Sequence, residues 1–316
     1  QIQFLINSGM KIIIIYIILI FFNNLAFGNE IKIKVKIDNE IITNLDINHE
    51  IKYLIFLNPK LEELDKKKID EIAKNSLITE LLKRKKLKEL IDFQQNTKII
   101  DLLEQSFLRK KKINNKDEYL KILEKRDLDY KKIRNKLHIE GLWNQLIYKK
   151  YFNNVKINKE ELRLRIVNNY KNKKKKYEFN LSEIVFTEDS EGNIEDLINK
   201  INKNIDTIGF ENSANIFSIS ETAKNGGLIG WISELQISDK INQNIKNLGI
   251  DSFSKPIKIP GGYIILKIND KRIFEEDINI NDQLNSAISQ ETNRQLNNFS
   301  IIFYKKLKKN MDINEY

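Results

Sequence analysis

The 316-residue sequence contains no cysteine, two histidines, three prolines and two tryptophans. Without thiols there is neither a disulfide framework nor a cysteine-based zinc site. His49 and His138 are too few for a histidine-rich metal centre, so no metal and no cofactor is expected; both fall on predicted helices and read as surface or capping residues. Scarce proline leaves long helices uninterrupted. No single charge sign dominates: 54 basic and 44 acidic residues give a net charge of +10, but the two signs are interspersed nearly everywhere. Charge therefore names no nucleic-acid partner. Apolar residues (41%) and charged residues (31%) are in globular balance, and the length suits about two domains.

What is present begins at Met10. Lys11 and the uncharged run Ile12 to Phe22 precede Ala26 and Gly28, small residues spaced as at a cleavage site. The run is well short of the roughly 20 residues that cross a bilayer comfortably. Residues 10–28 read as a signal peptide, with a mature start near Asn29 and export to the periplasm; an uncleaved anchor is the alternative. Ile31 to Ile37 then alternates apolar and basic, the period of a half-buried strand. Asp38-Asn39-Glu40 makes a turn, Ile41-Ile42 resumes the strand, and Thr43 or Asn44 can cap a helix ending near Asn58-Pro59. Ile69, Ala73, Leu77 and Leu81 form an i+4 row flanked by Ile78 and Leu82. Further helices are expected at 96–108, 116–124, 127–150 and 158–175.

The texture changes at Tyr177, where the lysine run Lys173 to Lys176, read as a solvated linker, gives way to an alternating strand. A helix over 194–205, a short helix over 210–216, a glycine-rich turn Asn225 to Trp231, a helix over 238–248 and strands over 255–259 and 263–268 follow. Strands at both ends with helices between make an α+β unit of about 100 residues. A long helix over 282–309 closes the chain and is expected to pack back on the first helical region.

Four ordered blocks here resemble one parvulin domain: Asn180-Leu-Ser-Glu-Ile-Val185, Asn225-Gly-Gly-Leu-Ile-Gly-Trp231, Leu248-Gly249 leading to Ser254-Lys-Pro-Ile257, and Gly262-Tyr-Ile-Ile-Leu-Lys-Ile268. The upstream region, with Leu77-Ile-Thr-Glu-Leu-Leu82 and Trp143-Asn-Gln-Leu-Ile147, is similar to the N-terminal domain of the SurA family. The resemblance implies a helical chaperone domain over 29–175, a parvulin-like domain over 176–273 and a closing helix over 274–316. It implies a periplasmic chaperone for unfolded outer-membrane or exported polypeptides, with transient membrane proximity and peptidyl-prolyl isomerase as the alternative activity. Parvulins carry a pair of histidines beneath the proline pocket; the matching positions here are Glu183 and Ile264, so both histidines are missing. The aromatic wall of that pocket aligns with Ile241. The expected peptide-binding set is Ser182, Glu183, Trp231, Ile241 and Tyr263, and Tyr53, Phe56, Phe107, Trp143 and Phe303 are candidates for client contact on the helical part. Independently of the resemblance, alternation puts Glu183 on the face of Tyr177, Phe179, Leu181 and Val185, so its carboxyl faces an apolar layer and its pKa should rise. Trp143 and Trp231 read most simply as core residues.

Overall fold

The computed structural model describes residues 30–90, 97–172, 176–187, 193–274 and 279–316. The expected signal peptide and residues Lys173–Lys175 of the expected linker lie outside the described residues. Among the described residues no helix is long and apolar enough to cross a membrane.

The fold is α+β. Strands β1 (Ile33–Ile37) and β2 (Glu40–Thr43) form an antiparallel hairpin in which alternation buries Val35 and Ile37. Thr43 then starts helix α1 (Asn44–Leu57) through a capping box. Its hydroxyl oxygen accepts from the Asp46 N–H at 3.2 Å, and the Asp46 carboxylate accepts from the Thr43 N–H at 2.9 Å. A single 3-10 turn begins at Pro59 and leads to α2 (Lys66–Leu90). The i+4 row of α2 packs against α1 and α5, burying Ile69, Ala73, Ile78, Leu81 and Leu82. Helices α3 (Thr97–Lys110), α4 (Lys116–Lys125), α5 (Tyr130–Tyr151) and α6 (Lys159–Asn172) complete the region.

The second sheet is antiparallel in the order β4-β3-β6-β5, with β3 (Lys176–Phe186), β4 (Leu228–Ser233), β5 (Ile257–Ile259) and β6 (Gly262–Phe274). Helices α7 (Ile194–Ile208) and α8 (Phe210–Phe217) cover one face, where Ile184, Phe186 and Ile265 are buried. The other face carries Phe179, Leu181, Val185, Ile264, Leu266 and Ile268 against α9 (Asp239–Ile245) and the segment before it. The glycine-rich segment divides where a turn was expected throughout. Gly226 and Gly227 turn the chain at φ of 67° and 78°, but Leu228–Ser233 pairs with β3 as a strand. A Cβ on Gly227 would lie 2.2 Å from the Glu183 carbonyl oxygen, so only glycine permits that approach.

Helix α10 (Ile280–Lys309) runs about 45 Å back to the first helical region. The Trp143 indole N–H donates to Ser300 Oγ at 2.8 Å, and its ring stacks on Phe303 at 5.4 Å. A last strand, β7 (Ile313–Glu315), pairs with β1 to give the order β2-β1-β7. Three residues with one apolar side chain are too short for a periodic signal, so this strand was not expected. The two parts also touch elsewhere. Lys224, from the turn before β4, and Lys83 of α2 hold the two oxygens of Glu140 at 2.9 and 2.7 Å. Burial alone would raise the Glu140 carboxyl, but these two charges outweigh it and hold it well below the usual carboxylate range. Asn58 Nδ2 donates to Asn215 Oδ1 at 2.6 Å.

Two expectations are corrected by burial. His138 is 2% exposed, since alternate turns of α5 face inward, and is no surface residue. Tyr53, Phe56 and Trp143 are core residues, with Phe107 and Phe303 packed against them, so these aromatics are occupied by the fold and not presented to a client. Replacing Trp143 by Ala should cost about 3–5 kcal/mol, and Trp143→Phe, which keeps the ring but strands the Ser300 hydroxyl, about 1–2 kcal/mol. Urea unfolding checks both values; a cost under about 1 kcal/mol for Trp143→Ala would mean that α10 is not held by this contact.

Candidate functional site

Between the α9 face of the second sheet and helices α5, α6 and α10 lies a cleft of about 1100 Å³. Leu181 of β3, Ile264 and Leu266 of β6, Ile232 of β4, Ile237 and Ile241 make its floor, and Asn144, Tyr148, Leu162, Arg165, Ala287 and Asn297 stand on the helical wall. The floor is apolar for a sequence reason: residues at period 2 along β3 and β6 all face this way.

Glu183 is the exception on that floor. Its Oε1 accepts from Ser220 Oγ at 2.6 Å and from Thr222 Oγ1 at 2.9 Å. Ser220 also caps the short 3-10 turn Glu221–Asn225, so the turn that carries Gly226 delivers both hydroxyls to the carboxyl. Burial raises the Glu183 carboxyl, and the two hydroxyl donors only partly oppose it. Neighbouring Glu221 is raised by burial as well, with Lys83 opposing.

The expected site residues divide by face. Glu183 and Ile241 line the cleft, with Ile264 on its floor, and Trp231 borders it only at the β4 edge, its ring turned to the face of Asn180 and Glu178 away from the floor. Ser182 and Tyr263 do not: the Ser182 hydroxyl is buried and accepts from Asn269 Nδ2 at 2.9 Å, and Tyr263 stacks on Phe186 at 5.7 Å under α7 and α8. Each is the chain neighbour of a cleft residue, and adjacent residues of a strand point to opposite faces. Trp231 is not core either. It is 39% exposed, with the Arg272 guanidinium 4.3 Å from its ring centroid. The hydroxyls of Ser220 and Thr222 and the wall on α6 and α10 were not expected. A Ser-x-Thr before a glycine turn hints at the hydroxyls; nothing local signals the wall, which exists only once α10 returns.

The two edges of the sheet differ. β5 has three residues, sits between Pro256 and Pro260 and carries Lys258, features that block further pairing. β4 has no charge and no proline, and Leu228, Ile229 and Trp231 are exposed on it. The Glu183 N–H donates to Gly227 O at 2.8 Å and the Glu234 N–H to Tyr177 O at 2.9 Å. With Gly230 opposite Leu181 and Ile232 opposite Phe179, antiparallel alternation turns the backbone of Trp231 toward the open edge. The site can therefore take an extended apolar segment alongside β4 and above the floor. On its floor it offers for prolyl isomerisation one carboxyl, Glu183, and at Ile264 no polar group.

Residues 178–270 match the family model of the rotamase, PPIC-type PPIASE domain. This segment is a parvulin-type domain. Part of the chain is also similar to SurA chaperones. It is 36% identical over 55 residues to chaperone SurA of Pseudomonas aeruginosa, covering 17% of this chain and 13% of that protein. It is 34% identical over 61 residues to chaperone SurA of Pseudomonas putida, covering 19% and 14%. These matches thus span a small part of both relatives. Among solved structures, a SurA-like chaperone of Campylobacter jejuni aligns over 90% of this chain and 98% of its own at 17% identity and a TM-score of 0.35. PrsA of Bacillus subtilis aligns over 89% and 93% at 18% identity and a TM-score of 0.29.

The parvulin-type domain's carboxyl has a pH signature. Because the folded-state pKa of Glu183 lies above its unfolded value, the folded chain binds the proton more tightly, and stability falls as pH rises from the unfolded value through the folded one. Glu183→Gln removes that loss while its amide oxygen can still accept from Ser220 and Thr222. The variant should be more stable than the parent at pH 7 and match it near pH 4 in urea titrations. An equal difference at both pH values would contradict the raised carboxyl.

Proposed function

We propose that this chain is a periplasmic chaperone that binds unfolded outer-membrane or other exported polypeptides, and that its parvulin-type domain has weak or no isomerase activity. The observation that carries the reading is the cleft: an apolar floor, an exposed aromatic side chain, Tyr148, at its rim, and an open edge strand beside them. Such a site suits an extended chain with apolar side chains and no fixed sequence, since main-chain pairing supplies affinity that does not depend on side-chain identity. Capture needs no energy source; binding the unfolded state lowers the free concentration of aggregating chains. The alternating strand of a client buries one side chain in two on the floor, and the sequence pattern of Met10 to Gly28 supports export to the periplasm. The domain boundaries we adopt are 29–175, 176–273 and 274–316, behind a signal peptide over 10–28.

Glu183 and Ile264 support the weak-isomerase part. Isomerisation must lower a rotational barrier of roughly 18–20 kcal/mol, which takes a shaped ring pocket and polar groups matched to the twisted amide. Ile264 supplies no such group. One observation favours the second reading, an active isomerase: a Glu183 carboxyl kept protonated by burial is a hydrogen-bond donor at the cleft floor.

Two assays separate the readings. Purified protein should suppress aggregation of an unfolded outer-membrane protein, and Tyr148→Ala at the cleft rim should weaken peptide binding about threefold to tenfold, as expected for one partly exposed aromatic contact. X-Pro peptides should isomerise at the background rate. Acceleration that Glu183→Ala abolishes would establish the enzyme reading, and undiminished binding by the rim variant would remove the cleft from the chaperone reading.

A further inference from the structure

The helical wall of the cleft carries a cation whose partner is missing from the fold. Arg165 of α6 is half-buried and lines the cleft. Its Nε is shut off from solvent and has no acceptor, and among the described residues the guanidinium makes no hydrogen bond and no ion pair. Several other cations drawn into this structure are matched by carboxylates: Lys136 with Glu50 and Glu80, Lys83 with Glu140, Arg134 with Asp101 and Glu104, Lys267 with Glu211 and Asp251, while Lys111 donates to the Leu57 carbonyl. Leaving a buried donor unsatisfied is costly, so the unmatched position stands out.

The acids lining the same cleft do not resolve it: Glu161, one turn earlier on α6, forms no ion pair with it among the described residues. Glu291 of α10 also lines the cleft, but both its oxygens are taken: Arg294 donates from Nε to Oε2 at 2.8 Å and from Nη2 to Oε1 at 2.6 Å, and Gln295 Nε2 donates to Oε1 at 2.7 Å. Burial would raise the Glu291 carboxyl, but Arg294, Gln295 and the neighbouring charge of Arg165 hold it below the ordinary range. Glu291 is thus committed to Arg294 and Gln295, and Arg165 has no carboxylate partner among the described residues. The amides of Asn144 and Asn297 line the same wall and can add N–H donors.

We propose that Arg165 is the receptor for a carboxylate on the peptide captured in the cleft, so that the preferred ligand is an extended segment pairing a carboxylate with apolar residues. This deepens the capture reading and rests on it. The guanidinium fork binds a carboxylate through two parallel N–H···O bonds, and packing around Nε holds it in place before the ligand arrives. The apolar partners of that carboxylate lie over Leu181, Ile264 and Leu266. The carboxylate can come from an Asp or Glu side chain or from a free chain end, and the chemistry at Arg165 is the same.

Fluorescence anisotropy with the full chain and labelled ten-residue peptides of alternating Val, Phe and Ser tests this. One peptide has an internal Glu and an amidated end, one has no acid and a free carboxyl end, and one has neither charge. The parent should bind at least one carboxylate peptide roughly tenfold to a hundredfold more tightly than the uncharged one, the range expected of a charge-assisted pair, with the preference shrinking as salt rises. The first two peptides tell side chain from chain end. Arg165→Gln should bind all three at the uncharged level, while Arg165→Lys retains part of the preference and Lys203→Gln, an exposed cation on α7 outside the cleft, retains all of it. Binding of all three peptides with equal affinity by the parent, or a preference that survives in Arg165→Gln, overturns the assignment and leaves capture standing. No binding of any peptide overturns capture, and the assignment with it.

Discussion

The structure depends on the return of helix α10. The chain leaves its helical region at α6, builds a parvulin-type domain, and comes back along a 30-residue helix whose Ser300 accepts from the Trp143 indole and whose Phe303 stacks on the same ring. The last residues then add β7 to the first hairpin. The parvulin-type domain is thereby tied at both ends, and the ion pairs of Glu140 with Lys224 and Lys83 fix a third point. A domain held at three points presents one face to α5, α6 and α10 at a fixed distance, and the cleft is the space so enclosed. Without the return there would be a sheet face and a bundle, but no wall.

Within that cleft Glu183 and Ile264, the positions that the resemblance to parvulins matches to the histidine pair, differ in chemistry. Ile264 has joined the apolar floor. Glu183 has kept a polar group there and acquired two hydroxyl donors from the turn carrying Ser220 and Thr222. A carboxyl so placed is held more readily as the neutral acid. The floor then presents no bare charge that would repel an apolar chain, as the proposed capture requires. Wall and floor also divide the work of recognition. The floor is indifferent to sequence within the apolar class, whereas the wall carries the fixed charges.

Much of this was legible in the residues, and the limits have physical causes. Period-2 alternation located β1 and β3 and put Glu183 on the apolar face, and the i+4 row of Ile69, Ala73, Leu77 and Leu81 located α2. Ser182 and Tyr263 were grouped with the cleft by motif membership, although each neighbours a residue that faces it and alternation turns both to the other face. Trp231 was misplaced because large aromatics are usually buried, and whether a strand lies at the edge of a sheet is decided by topology, not by its own sequence. β7 left no periodic trace in three residues. Arg165 looks like any other basic residue on a charged helix; its lack of a partner is visible only when Glu291 is seen to be taken.

The absence of cysteine makes the central claim, that clients enter between the sheet and the helical wall, directly measurable. Single cysteines at Tyr148 on the cleft rim and at Leu102, exposed on α3 outside the cleft, can each carry a photoactivatable benzophenone. On irradiation with an unfolded outer-membrane protein, the Tyr148 position should crosslink to the client and the Leu102 position should not. Equal crosslinking from both, or crosslinking from Leu102 alone, would mean that clients bind elsewhere on the molecule.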